Sequence, residues 1–228
     1  MMISKVRLSR KAGTQGSLAK VLSAGANADR GHGLVWALFN DGTTAPRSFL
    51  YREIEPGTYM AVSEHAPRDA HGLWQIDQKP YQPTLSVGQR LGFVLRANPV
   101  VTVVQPGKPR GLRADAIMHA KSKLSAAERP KFTSKDASTI AVSWLVKRGP
   151  GLGFEIDTDA TSADGYQQVR ILRPGRQSAI VFSEIEFTGA LTVKDPELLR
   201  QALFKGIGKA RAYGCGLLLV RPIPEVDL

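Results

Sequence analysis

Two clusters of residues have chemistry in them. The first centres on His32, three residues after Asp29 and four before Trp36. Asp is a preferred N-cap, and a helix that begins after Asp29 puts His32 in its first turn, on one face with Val35, Trp36 and Phe39. The partial positive charge of a first turn disfavours imidazolium, so the ring stays neutral near pH 7 and accepts a proton, and the free N–H groups beside it suit a phosphate. A packed, hydrogen-bonded histidine fits the same position, and the local sequence does not separate the two.

The second cluster is Gly206-Ile207-Gly208, five residues, then Gly214-Cys215-Gly216. Glycine lacks a Cβ, so it reaches positive φ and admits close approach to the main chain. Lys209 and Arg211 lie between the pairs, which suits a polyanion better than a neutral metabolite. A helix C-cap followed by a softened turn is the alternative. Arg170, Arg173 and Arg176 flank a Pro174-Gly175 turn, a basic hairpin with side chains fit for bidentate phosphate and guanine contacts. Lys108, Arg110 and Arg113 form a weaker basic patch.

Other candidates fall away. Cys215 is the single cysteine, which excludes an internal disulfide or a cysteine metal cage, fits a reducing compartment, and reads as a small buried residue. His65, His71 and His119 match no zinc spacing, and no nucleophile elbow is present. No metal or cofactor is expected.

The elements that must position these groups are legible in outline. Period-2 alternation over 2–9 predicts a strand with a basic face. A Gly/Ser/Ala-rich stretch at 13–28 has room for a short helix at 18–22, and an apolar helix follows at 30–39. Strands are predicted over 48–55, 58–64 and 90–104, half of a split βαβ pattern. The turn-rich, basic 105–112 reads as a linker between a domain at 1–104 and another at 113–228. The second domain is predicted to hold helices at 114–128 and 135–147, strands at 154–158, 167–173 and 180–193, a helix from Asp195, and a strand at 217–221. Asp195 as N-cap, Pro196 at the first helical position and Gly206 past the end mark that helix at both ends. The pattern is α+β in two similar halves.

Composition bounds the partners. The 228 residues are 43% hydrophobic, enough for one large or two small cores. Net charge is +11 and the isoelectric point is near 10.0, the electrostatic footprint of a nucleic-acid binder. Residues 1–112 carry fourteen Lys and Arg against seven acids, and the remainder seventeen against thirteen, so the charge is no detachable tail. No run approaches the ~20 apolar residues of a membrane helix and no signal-peptide pattern opens the chain, so a cytoplasmic protein without a membrane partner is expected.

The glycine loop resembles the C-terminal signature of the RAMP superfamily, and Phe187-Thr188-Gly189-Ala190-Leu191-Thr192-Val193, Asp195-Pro196, the loop and Gly216-Leu217-Leu218 together resemble the end of CasE-type members. Within that superfamily the chain resembles the CasE (Cse3) family of type I-E CRISPR repeat endoribonucleases. Leu95-Arg96-Ala97-Asn98-Pro99 followed by Gly107-Lys108 is similar to a mid-chain family segment, and Ser4-Lys5-Val6 to its opening. The resemblance implies two tandem ferredoxin-like (RRM-like) domains. It also implies metal-independent cleavage of precursor RNA at the base of a repeat stem-loop: the ribose 2′-OH attacks the adjacent phosphate, leaving a 2′,3′-cyclic phosphate. It further implies that the product stays with other Cascade subunits and that the basic hairpin engages the stem. His32 corresponds to the family's catalytic histidine, and Arg211 to a basic loop position suited to stabilising the phosphate. Asp29 stands where relatives often carry a tyrosine; it orients His32 or only caps the helix. Without cleavage, the same features describe a stem-loop-binding subunit.

Overall fold

Inward-facing Ser4 and Val6 alternate with more exposed neighbours along β1 (Met2–Leu8), as the period-2 pattern predicts. The computed structural model describes residues 1–9, 30–39, 47–107, 110–172 and 178–223, with backbone alone at 30–32. The short helix expected at 18–22 lies outside the described residues, as do Asp29, Lys108, Arg173 and Arg176.

Helix α1 (Arg30–Phe39) buries Val35 and Leu38 against Val6, Phe49, Tyr51, Tyr59 and Ala61. Phe39 stacks on Phe49 at 4.6 Å between centroids, and Trp36 tilts onto the same ring at 5.7 Å. Next come β2 (Phe49–Glu55), β3 (Thr58–Ser63) and β4 (Trp74–Pro80). The four strands form one antiparallel sheet in the order β2-β3-β1-β4, the ferredoxin-like arrangement, with α1 on one face. Between β3 and β4 the chain forms no helix.

The second sheet begins sooner than the sequence suggests. Strand β5 (Arg90–Ala97) alternates buried Leu91, Phe93, Leu95 and Ala97 with more open neighbours, and pairs with two later strands, not with β1–β3. The predicted strand at 90–104 therefore splits into β5 and β6 (Val100–Val103), and the division between sheets falls between Pro80 and Arg90. The turn expected to be an interdomain linker instead closes a ribbon of β6 with β7 (Leu112–Asp115). A strand pairs with the sheet whose core its apolar side can enter, and β5 enters the core of the second half.

The predicted helix at 114–128 shortens to α2 (Ala116–Ser122): Asp115 is its N-cap and accepts from Met118 N–H at 2.7 Å, which sets the start, and the helix ends at Ser122 with Lys123 as C-cap. Helix α3 (Ser134–Arg148) opens on a capping box, Thr133 with Asp136. The two strands predicted at 154–158 and 167–173 are one bulged strand, β8 (Phe154–Ile171), paired with β9 (Ile180–Val193). Helix α4 (Pro196–Lys205) is capped by Asp195, which accepts from Glu197 and Leu198 N–H, and β10 (Leu218–Pro222) completes the order β10-β5-β9-β8. Both sheets thus share the ferredoxin-like strand order, giving the two tandem units that the resemblance implies.

The second core is the larger, with Leu95, Phe154, Phe187, Leu191, Leu199, Leu203 and Ile207 almost wholly buried. The first sheet's other face meets the second unit through Leu50 and Val62 on Leu217, flanked by Ile3, Met60, Phe204 and Leu219. Burying side chains of this size contributes about 1.5–3 kcal/mol each. That seam fixes the glycine loop beside β2 and α1.

Candidate functional site

Strained backbone concentrates in the segment from Gly206 to Gly216. Gly206, Gly208, Gly214 and Gly216 have φ between +77° and +88°, and Ala210 is left-handed at +55°. The close approach that the glycines allow is made by the chain itself. A Cβ on Gly216 would lie 2.7 Å from the Ile207 carbonyl oxygen and 2.9 Å from Arg211 Cγ, and one on Gly206 would lie 2.9 Å from Leu50 Cδ2. Two backbone hydrogen bonds hold the crossing: Ile207 N–H donates to the Gly216 carbonyl at 2.9 Å, and Gly216 N–H to the Arg96 carbonyl at 2.7 Å. The loop is a clasp that sets its middle, a 3₁₀ turn at Arg211–Tyr213, into a fixed position.

That turn packs against both α1 and β2. Tyr51 donates its hydroxyl to the Ala212 carbonyl at 3.0 Å, across the seam between the units. Tyr213 stacks on Phe182 at 5.3 Å, which brings the β8–β9 hairpin to the same place. Thus the element carrying His32, the loop carrying Arg211 and the hairpin carrying Arg170 converge on one short turn. His32 lies in the first turn of α1, as its spacing predicts.

Arg211 is exposed and donates to the Lys205 carbonyl, one of the free acceptors at the end of α4. Lys209 is exposed and its backbone bridges to Asn98. Arg170 is exposed on β8 opposite Val181, with Leu172 and Val181 also open beside it. Arg113, opposite Thr102, and Arg110 are exposed on the β6–β7 ribbon. The ribbon leans on α3, whose Trp144 Nε1–H and Arg148 guanidinium both donate to the Val100 carbonyl at 3.0 Å.

Cys215 is fully buried; burial, then the neighbouring Glu184 carboxylate, pushes its thiol well above the ordinary range. It is a packing residue, as its sequence context suggests. Among the described residues no cluster of three or more His, Cys, Asp and Glu is arranged to hold a metal.

Two groups escaped the sequence reading. Arg47, half-buried before β2, lies 5.5 Å over the Phe49 ring and near Arg211. Burial lowers its pKa, Tyr51 acts against that, and the Arg211 charge lowers it further. Its Nη1 is buried without a hydrogen-bond acceptor. The other group joins the two sheets: Glu186 on β9 takes Arg52 from β2 on one oxygen and Arg96 from β5 on the other, the latter at 3.2 Å. Arg52 is only 6% exposed, and its Nε and Nη1 have no acceptor. Position in sequence gave no sign of either group, since Arg52 and Glu186 are 134 residues apart.

Comparison with known proteins gives the family. Residues 1–222 match the family described as CRISPR associated protein. The chain is 30% identical over 152 residues to the CRISPR-associated endoribonuclease Cse3 of Thermus thermophilus, a match spanning 63% of this chain and 61% of that one. It is 28% identical over 197 residues to the Cascade subunit CasE of Escherichia coli K12, covering 84% and 90% of the two chains. The structure of Thermus thermophilus Cse3 bound to an RNA representing a pre-cleavage complex superposes with a TM-score of 0.66 at 24% identity, over 97% of this chain and 99% of that one. No helix among the described residues is long and apolar enough to cross a membrane. With the matched family spanning nearly the whole chain, this protein belongs to the CasE (Cse3) family of CRISPR-associated proteins.

Proposed function

We propose that the chain is a metal-independent endoribonuclease that cuts CRISPR precursor RNA at the base of each repeat stem-loop and keeps the product as a Cascade subunit in the cytoplasm. The observation that carries this reading is the packing of the Arg211–Tyr213 turn against α1, the helix with His32 in its first turn. His32 moves a proton from the attacking 2′-OH or to the leaving 5′-oxygen, a contribution of typically ~10²- to 10⁴-fold. Arg211 stabilises the charge that grows on the phosphate, and Asp29 caps α1 or orients His32. Attack by the 2′-OH leaves a 2′,3′-cyclic phosphate and a free 5′-OH.

The RNA path runs over exposed Lys209 and Arg170, with exposed Arg110 and Arg113 on the ribbon as an outlying patch. Arg173, Arg176 and Lys108 belong to the same basic stretches of the sequence, and Gly206, Gly208, Gly214 and Gly216 act by shaping the loop that presents Lys209 and Arg211. An A-form major groove is too narrow for side chains to read, so the hairpin acts at a short stem or near its end. Asp29, where relatives often carry a tyrosine, favours a second reading, a subunit that holds the stem-loop without cutting it.

One experiment separates the two. Purified protein in EDTA is given the host repeat RNA, alongside His32→Ala and a substrate with one 2′-deoxy residue at the cut. Cleavage by the wild type that is lost in both controls is expected. Tight binding without cleavage by the wild type would establish the binding subunit instead.

A further inference from the structure

The clearest unexplained charge near the site is Arg47. It is half-buried, stacked on Phe49, and its Nη1 lies out of solvent with no acceptor. Among the described residues neither Arg47 nor Arg211 is in an ion pair, and burial, followed by the Arg211 charge, lowers the affinity of Arg47 for its proton. Buried polar groups normally have partners, and a buried charge without one is costly unless something outside the chain supplies it. Arg47 packs on Phe49 of β2, and Tyr51 of the same strand ties down Ala212, the neighbour of Arg211, so the two cations flank one strand-to-turn contact that suits a single anion accepting from both.

We infer that Arg47 and Arg211 form one phosphate-gripping pair, which holds a single backbone phosphate of the RNA strand against the seam between β2 and the Arg211–Tyr213 turn. The inference rests on the RNA substrate proposed above but not on cleavage. Arg211 is half of the grip in place: one of its nitrogens is spent on the Lys205 carbonyl, which fixes the guanidinium plane. Arg47 supplies the other half, with the Phe49 ring as its backstop. Tyr51, tied to the Ala212 carbonyl, keeps the strand and the turn at a set separation, so the two guanidinium groups meet the anion preorganised.

The test is a salt series of binding measured by fluorescence anisotropy, with repeat RNA carrying a 2′-deoxy residue at the cut so that no turnover intrudes. The proteins are the wild type, Arg47→Gln, Arg47→Lys, Arg211→Gln and the double Gln variant, each with its melting temperature recorded. A phosphate contact contributes ~0.7–0.9 to the slope of log K against log salt. Arg47→Gln is expected to weaken binding about tenfold or more at low salt and to flatten the slope by roughly that amount. Arg47→Lys should keep the slope, and the double variant should lose one phosphate's worth, not two.

A structural role for Arg47 would lower melting temperature and affinity at an unchanged slope, and that result overturns the pair. Should Arg47→Gln fold poorly, Arg211→Gln and Arg47→Lys decide by slope alone. Wild-type protein with no salt-sensitive affinity for this RNA overturns the pair together with the proposed substrate. Binding without cleavage overturns only the nuclease reading, and the pair then stands or falls on its slope.

Discussion

Replacing Gly216 by Ala is expected to damage the fold before it damages RNA binding. Its φ of +88° is a conformation that costs an L residue roughly 1–2 kcal/mol. The new Cβ would stand 2.7 Å from the Ile207 carbonyl oxygen, where an ordinary contact needs at least 3.4 Å, and the obstacle is backbone. Relief by movement stretches either the 2.9 Å bond from Ile207 N–H or the 2.7 Å bond to the Arg96 carbonyl, and a buried hydrogen bond broken this way costs about 1–3 kcal/mol. The sum is about 2–5 kcal/mol. For a chain of this length each kcal/mol moves the melting temperature by ~2–4 °C, so a loss on the order of 10 °C should appear in a circular-dichroism melt. Gly208→Ala is the control: its Cβ would sit 3.4 Å from the Asn98 carbonyl oxygen, an ordinary contact, so only the φ penalty of about 1–2 kcal/mol applies. A Gly216→Ala protein that melts with the wild type yet binds RNA poorly would refute the reasoning, because a ligand and not the chain would then be what presses on that backbone.

Three other perturbations have definite outcomes. Glu186→Gln leaves Arg52 buried without its counter-charge; discounting the 3–5 kcal/mol of a fully buried broken pair for the part-exposed carboxylate gives a loss of roughly 2 kcal/mol, read by urea unfolding, with Glu186→Asp losing less. The Tyr166 phenol is pushed up to about 12, by burial first and then by Asp115, which accepts its hydrogen bond at 3.1 Å. Because the folded state keeps that proton longer than the unfolded chain, its contribution is complete below pH 10 and is lost as pH rises from 10 to about 12. After discounting for solvent screening it is about 1 kcal/mol, and Tyr166→Phe should remove this alkaline limb from the stability profile. The Cys215 thiol should resist iodoacetamide at pH 8 in the native protein and react fully in denaturant, as measured by intact mass.

What was legible in the sequence is what local physics decides. Asp195, Pro196 and Gly206 bracket α4 within a residue of its observed ends, because caps act through neighbours along the chain. Strand β4 was illegible for the opposite reason. Trp74 and Ile76 are its only large apolar residues before Lys79 and Pro80, and only seven-residue pairing with β1 makes it a strand. The placement of β5 failed similarly: alternation at Leu91, Phe93 and Leu95 announces a strand but not which sheet receives it. The glycine pairs and Arg211 stood out by type and spacing, whereas Tyr51 and Phe182 reach the same turn from two distant parts of the chain.

The most direct measurement is the chemical identity of the RNA ends made in EDTA. Mass spectrometry of the fragments from wild type should find a 2′,3′-cyclic phosphate on the upstream piece and a 5′-OH on the downstream one, both absent with His32→Ala. A 3′-OH and 5′-phosphate, or equal cleavage by His32→Ala, would contradict a 2′-OH attack assisted by His32.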